Sequence, residues 1–158
     1  MSKSLVLGLG NPILGDDSIG FRLAELLDKR LCSLPETDFL STSLAGIRLL
    51  DQIQGYDRLI VLDSMTTGRY PTGTITAMEI EDLAECGVNR LSVHHIPFAE
   101  ILELGRSSGL HIPDEIRIYA IEIEYPLEAG EDLSPALERR IEEYMRTIIE
   151  NEFSDGVA

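Results

Sequence analysis

Apolar residues along this chain fall into short unbroken runs that alternate with stripes of helical spacing. Lys3–Leu9 predicts a short buried strand, stopped by the turn formers Gly10, Asn11 and Pro12. From about Ser18 to Leu31, Leu23, Leu27 and Leu31 recur every four residues, and Ala24 and Leu26 widen the stripe, so a helix is predicted. Asp38–Ser41 reads as a weak second strand. Leu44–Gln54 reads as a helix with Ile47, Leu50 and Ile53 on one face and Gly55 as its stop. Arg58–Asp63 does not alternate, which fits a central strand covered on both faces. Thr74–Ile80 predicts another strand, entered through Pro71 and Gly73, followed by a short acidic helix over Ile80–Glu85. Pro97 opens a helix in which Phe98, Ile101, Leu102 and Gly105 share a face. Ile116–Ile123 alternates as a strand. Ser134-Pro135 pairs an N-cap with a proline at the first helical position, and Leu137, Ile141, Tyr144, Met145 and Ile148 then draw a single stripe.

Strands alternating with helices imply an α/β fold, a mainly parallel sheet with helices on both faces. Right-handed crossovers place the ends of the first and third strands on one rim, where open α/β sheets keep their ligands. The 158 residues suit one domain over 1–153, with 154–158 as a loose tail and no repeat or linker. No run approaches the ~20 apolar residues that span a bilayer, and Lys3 with Leu5–Leu9 is too little for a secretory signal. The expectation is a cytoplasmic protein without membrane association.

Charge narrows the partners. Thirteen Lys and Arg stand against 28 Asp and Glu, a net charge of −15. Such a surface repels phosphate backbones, so nucleic-acid binding is not expected, and a solitary monomer is. Cys32 and Cys86 form no CxxC pair and are expected to be packing thiols.

Three places could carry chemistry. Gly8-Leu-Gly10-Asn11 follows the first strand as a dinucleotide loop would, but Ile13 stands where the third glycine of GxGxxG belongs. Asp16 and Asp17 then close the loop, where a pyrophosphate would meet repulsion. One of the two can cap the following helix; both cannot fill one cap, and the other would point to the rim. Asp63 ends the central apolar strand, so its carboxylate should emerge near that pair. It is equally a candidate turn or cap residue. Carboxylates brought together repel, so one protonates or a cation bridges them. His94 and His95 precede the Pro97 helix and lie in a loop; adjacent histidines point apart, so at most one joins a given site. His111 reads as a loop residue, and Glu122 and Glu124, on one face of the last strand, as solvent-facing. Two carboxylates with one imidazole would make a hard-to-borderline metal site with open positions.

In order and spacing these segments resemble the hydrogenase maturation proteases. The first match is a strand, then Gly8-Leu-Gly10-Asn11, then Asp16-Asp17, then Gly20; the second is Leu59-Ile-Val-Leu-Asp63; the third is Ser92-Val93-His94 before a helix. The resemblance runs from about Leu5 to Ile149. It implies a three-layer α/β/α, phosphorylase/hydrolase-like fold with a twisted, mostly parallel sheet of about five strands. It also implies an endopeptidase of aspartic type, with Asp17, Asp63 and His94 as both catalytic and metal-site residues. These would sense nickel carried by the precursor of a nickel-iron hydrogenase large subunit, whose C-terminal extension is then removed. Other divalent ions such as Zn or Cd could occupy the isolated site. Relatives carry an Asp near the end of the second strand, where this chain has Ser41, and an amide or acid at the position of His95. Neither Ser41 nor His95 receives a role.

Two rival readings remain open. A metal-sensing chaperone of hydrogenase assembly would use the same side chains without cutting. A peptidyl-tRNA hydrolase also opens with GLGNP, but its early catalytic histidine has no counterpart before His94, and the acidic surface opposes tRNA.

Overall fold

A computed structural model describes residues 2–85, 97–124 and 129–154. The two most apolar runs become the middle of one five-stranded sheet. Ser4–Leu9 (β1) is buried at every position, and Arg58–Met65 (β3) is buried beyond Arg58. Neither run could face water on one side, so each needs neighbours and a helical layer on both faces. Thr37–Thr42 (β2) pairs parallel with β1, and Glu115–Glu122 (β5) parallel with β3. Ile75–Glu79 (β4) runs antiparallel along the outer side of β5, giving the order β2-β1-β3-β5-β4. The more polar strands β2 and β4 occupy the edges.

Helices cover both faces. Ile19–Leu31 (α1), Pro135–Glu138 (α5) and Ile141–Glu152 (α6) pack on the face bearing Val6, Ile60, Leu62, Tyr119 and Ile121. Leu49–Ile53 (α2), Asp82–Glu85 (α3) and Phe98–Ser107 (α4) cover the other, which bears Leu5, Leu7, Leu59, Val61 and Ile118. The predicted three-layer α/β/α fold with five mostly parallel strands is therefore the observed one. Among the described residues no helix is long and apolar enough to cross a membrane.

Several boundaries differ from those predicted. The helix expected from Leu44 starts later, because Gly46 sits at φ +67° and cannot lie inside a helix. Leu44 instead donates its N–H to Thr42 Oγ1 (3.0 Å), Gly46–Arg48 make a 3₁₀ turn, and only Leu49–Ile53 is α-helical. The C-terminal stripe is broken into two helices at Arg139 and Arg140, where Arg140 leaves helical geometry (φ −104°, ψ 3°). Cys32 is exposed rather than packed, because α1 ends at Leu31 and Cys32 falls just past its buried face. Cys86 lies outside the described residues.

The end of α6 is tied beneath the sheet by a buried ionic knot. The Glu152 side chain is only 3% exposed; it meets the guanidinium groups of Arg58, at the start of β3, and Arg117 in β5 (3.3 Å). The Tyr119 hydroxyl donates to the same carboxylate. Burial first, and the hydrogen bond to Glu152 second, raise the Tyr119 hydroxyl far above its ordinary range, so it stays a donor.

Glycines let α1 lie directly on the strands. A Cβ on Gly20 would stand 2.2 Å from the carbonyl oxygen of Leu62 and 2.6 Å from that of Leu9. Both obstacles are main chain in the central strands and cannot swing aside. Gly20→Ala is expected to cost about 3 kcal/mol or more, at the upper end of overpacking effects, read as a lowered urea midpoint with an unchanged slope. A midpoint within error of the parent would contradict this packing.

Candidate active site

The loop after β1 delivers the first carboxylates. Its glycines allow close packing: Gly10 sits at φ +147°, and a Cβ there would lie 2.1 Å from the Asp17 carbonyl oxygen. The chain can therefore fold Asp17 back against the end of β1. Gly15–Ser18 form a 3₁₀ turn leading into α1. The loop is strapped down on its far side, where Gly15 N–H donates to Gly130 O (2.9 Å) and Gly130 N–H to Ile13 O (2.8 Å).

Asp16 and Asp17 then part company. Neither caps α1, contrary to the capping role expected for one of them, since no side-chain cap bond exists at that helix or at the turn before it. The 3₁₀ turn takes up the segment where a cap would sit. Asp16 faces the C-terminal segment and accepts the Ser134 N–H at the start of α5 (2.6 Å). Asp17, 9% exposed, points across the sheet. Its Oδ2 accepts the Asn11 N–H (3.1 Å) and its Oδ1 the Ser64 hydroxyl (2.8 Å).

Asp63 differs from expectation in one respect. Strand β3 continues past it to Met65, paired throughout with β5, so Asp63 is wholly buried at the rim rather than emerging from it. By strand alternation Asp63 shares the face of Val61 and Met65, under α2 and α4, while Ser64 shares the α1 face of Leu62. The Ser64 N–H donates to Asp63 Oδ1 (2.7 Å). Asp17 and Asp63 thus approach the end of β3 from opposite faces and meet donors of the same residue. Their convergence follows from register: β1 and β3 are parallel neighbours with Gly8 opposite Leu62.

Other expected groups divide. His94 and His95 lie outside the described residues. Among the described residues no three His, Cys, Asp or Glu side chains gather closely enough to hold a metal ion. The two aspartates offer oxygen donors, and a third ligand would have to come from elsewhere. His111 is a loop residue as expected; its Nε2 lies 2.9 Å from Asp57 Oδ1. Ser41, at the end of β2, donates its hydroxyl to the Phe21 carbonyl (2.7 Å).

Two residues escaped the sequence reading. Ser64 lies just past the predicted strand Arg58–Asp63, and its pairing with β5 makes it a buried strand residue. Glu122 was expected to face solvent and is instead 2% exposed. The β3–β4 loop folds over the end of β5, and both the Thr67 N–H (2.8 Å) and the Thr67 hydroxyl donate to the Glu122 carboxylate. Glu124 is exposed and accepts the Thr72 hydroxyl (2.6 Å).

Comparison with known proteins gives this geometry a context. The chain is 29% identical over 147 residues to the hydrogenase 2 maturation protease of Escherichia coli, covering 93% of this chain and 88% of that protein. It is also 29% identical over 147 residues to the hydrogenase expression/formation protein HoxM of Azotobacter vinelandii, covering 92% and 70%. Among solved structures, the hydrogenase maturating endopeptidase HybD from E. coli superposes with a TM-score of 0.81 at 29% identity, covering 98% of this chain and 94% of that one. The hydrogenase 2 maturation peptidase of a Thaumarchaeota archaeon superposes at 0.61, with 26% identity and coverage of 94% and 97%. The sequence profile of hydrogenase maturation proteases matches residues 21–151, most of the chain including β3 and its two site residues, and the chain therefore belongs to the hydrogenase maturation protease family.

Proposed function

We propose that this protein is the endopeptidase that removes a C-terminal extension from the nickel-loaded precursor of a nickel-iron hydrogenase large subunit. Family membership makes it a protease whose substrate is of the hydrogenase-precursor kind. The observation that carries the finer reading is the joining of Asp17 and Asp63 through Ser64 at one end of β3.

In this reading Asp17, Asp63 and His94 together recognise nickel already seated in the substrate. Topology supports adding His94. The element after it is α4, whose Phe98, Ile101 and Leu102 pack on the face that Asp63 occupies. The C-terminal end of α4 touches Ile112 through Gly105, near the start of β5, so its N-terminal end lies towards the rim that holds Asp63. Docking on the nickel would hold the scissile peptide over the carboxylates. A water oxygen then bonds to the peptide carbon and the C–N bond breaks. The water's proton passes through a carboxylate to the departing amine, whether that carboxylate drives the attack as general base or the substrate's nickel does so by polarising the carbonyl as Lewis acid. The free protein's site could also accept Zn or Cd, since paired carboxylates with one imidazole suit borderline ions.

The test is a mass measurement. Incubation with nickel-loaded precursor should shorten the large subunit by its C-terminal segment, while nickel-free precursor stays whole. An intact mass in a stable complex would replace the protease with a docking chaperone. Equal cutting of both precursors would remove nickel from the recognition.

A further inference from the structure

We propose that Ser64 is a positioning residue for this site, setting the relative placement of its two aspartates; the inference rests on the protease reading above. Ser64 is 3% exposed and uses both of its donors on the candidate machinery. Its N–H goes to Asp63 Oδ1 (2.7 Å) and its hydroxyl hydrogen to Asp17 Oδ1 (2.8 Å). Asp17 comes from the turn after β1 and Asp63 from β3 itself, they approach from opposite faces of the sheet, and Ser64 bonds both. The N–H bond belongs to any residue at position 64. The hydroxyl bond belongs to Ser or Thr alone, and it reaches a residue 47 positions away.

That hydroxyl is the element under side-chain control. Its loss leaves a buried Asp17 oxygen without one of its donors, beside a second carboxylate. Asp17 would then turn towards whatever donor or water it can find, and the pair would no longer present a fixed set of oxygens. Residues that orient ligating carboxylates in this way typically change affinity or rate by about 10–100-fold when removed.

Three variants separate the hydroxyl from the space it fills. Ser64→Thr and Ser64→Val carry the same added bulk, so strain cancels between them and only the hydroxyl differs. Ser64→Ala removes the hydroxyl without adding bulk. Each is assayed for kcat and KM on nickel-loaded precursor, for Kd with Cd²⁺ alone, and for melting temperature. Expected are losses of about 10–100-fold in kcat/KM for Ser64→Ala, matched by weaker Cd²⁺ binding, and a Thr variant at least tenfold better than the Val variant. The lost hydrogen bond should lower the melting temperatures of the Ala and Val variants by only a few degrees, leaving both fully folded at the assay temperature, so unfolding does not account for the losses. Ser64→Ala cutting at the parent rate would overturn the assignment of Ser64 while leaving the protease reading intact. Thr and Val variants of equal activity would overturn it too, reducing Ser64 to a packing residue. A parent protein that leaves the precursor whole would overturn the protease reading, and the role of Ser64 with it.

Discussion

Asp63→Asn should lower precursor cleavage by on the order of 10²–10⁴-fold, the range over which a positioned carboxylate acts in proton transfer, and Asp17→Asn should do the same. Both changes keep the shape of the side chain. In Asp63→Asn the new amide oxygen can still accept the Ser64 N–H, as Asp63 Oδ1 does. Asp17→Asn leaves one oxygen where Asp17 uses two, so the amide can serve the Ser64 hydroxyl or the Asn11 N–H but not both. Asp17→Asn should therefore lose some stability, about 1 kcal/mol for one hydrogen bond. The decisive measurement is the rate of mass loss from nickel-loaded precursor, taken alongside thermal melts. Processing at the parent rate by both variants would remove the aspartates from the chemistry and leave the rim as a docking surface only.

The largest stability effect should come from the opposite end of the sheet. Glu152→Ala is expected to cost about 3–5 kcal/mol, because it takes the buried carboxylate away from the largely buried Arg58 guanidinium, which keeps the exposed Glu115 and a main-chain carbonyl, and it also removes the acceptor of Tyr119 and a partner of Arg117. For a chain of this size that corresponds to a melting temperature lower by roughly 10 °C. Arg58 opens β3 and Asp63 lies five residues on, about 16 Å at strand rise, so the damage should not reach the site. Below its own transition the variant should cut precursor at the parent's kcat. A variant as stable as the parent would mean the knot adds nothing beyond the packing of α6. A stable variant with depressed kcat would mean that the two ends of β3 communicate.

The two ends of β3 also differ in how openly they were written. The unbroken apolar runs at Leu5–Leu9 and Leu59–Leu62 declared central strands, because such runs cannot leave one face in water. The four-residue spacing of Leu23, Leu27 and Leu31 declared α1 for a similar reason: burial of one side is recorded in the period of the sequence. Gly8, Gly10 and Gly20 stood out as a pattern too. It did not say that the same glycines let main chain pack within contact of main chain at Asp17 and Leu62.

What the sequence determined by itself was therefore the layered α/β architecture, and the arrival of the Asp16-Asp17 loop and Asp63 at one rim. Local periodicity encodes burial, and parallel crossovers then leave few topologies. The tertiary structure alone decided which oxygens meet which donors. It turned Asp16 away to Ser134, joined Asp17 to Asp63 through Ser64, and covered Glu122 with the loop bearing Thr67. Those contacts depend on register and on loops returning from distant parts of the chain, and no local pattern of polar and apolar residues carries that information.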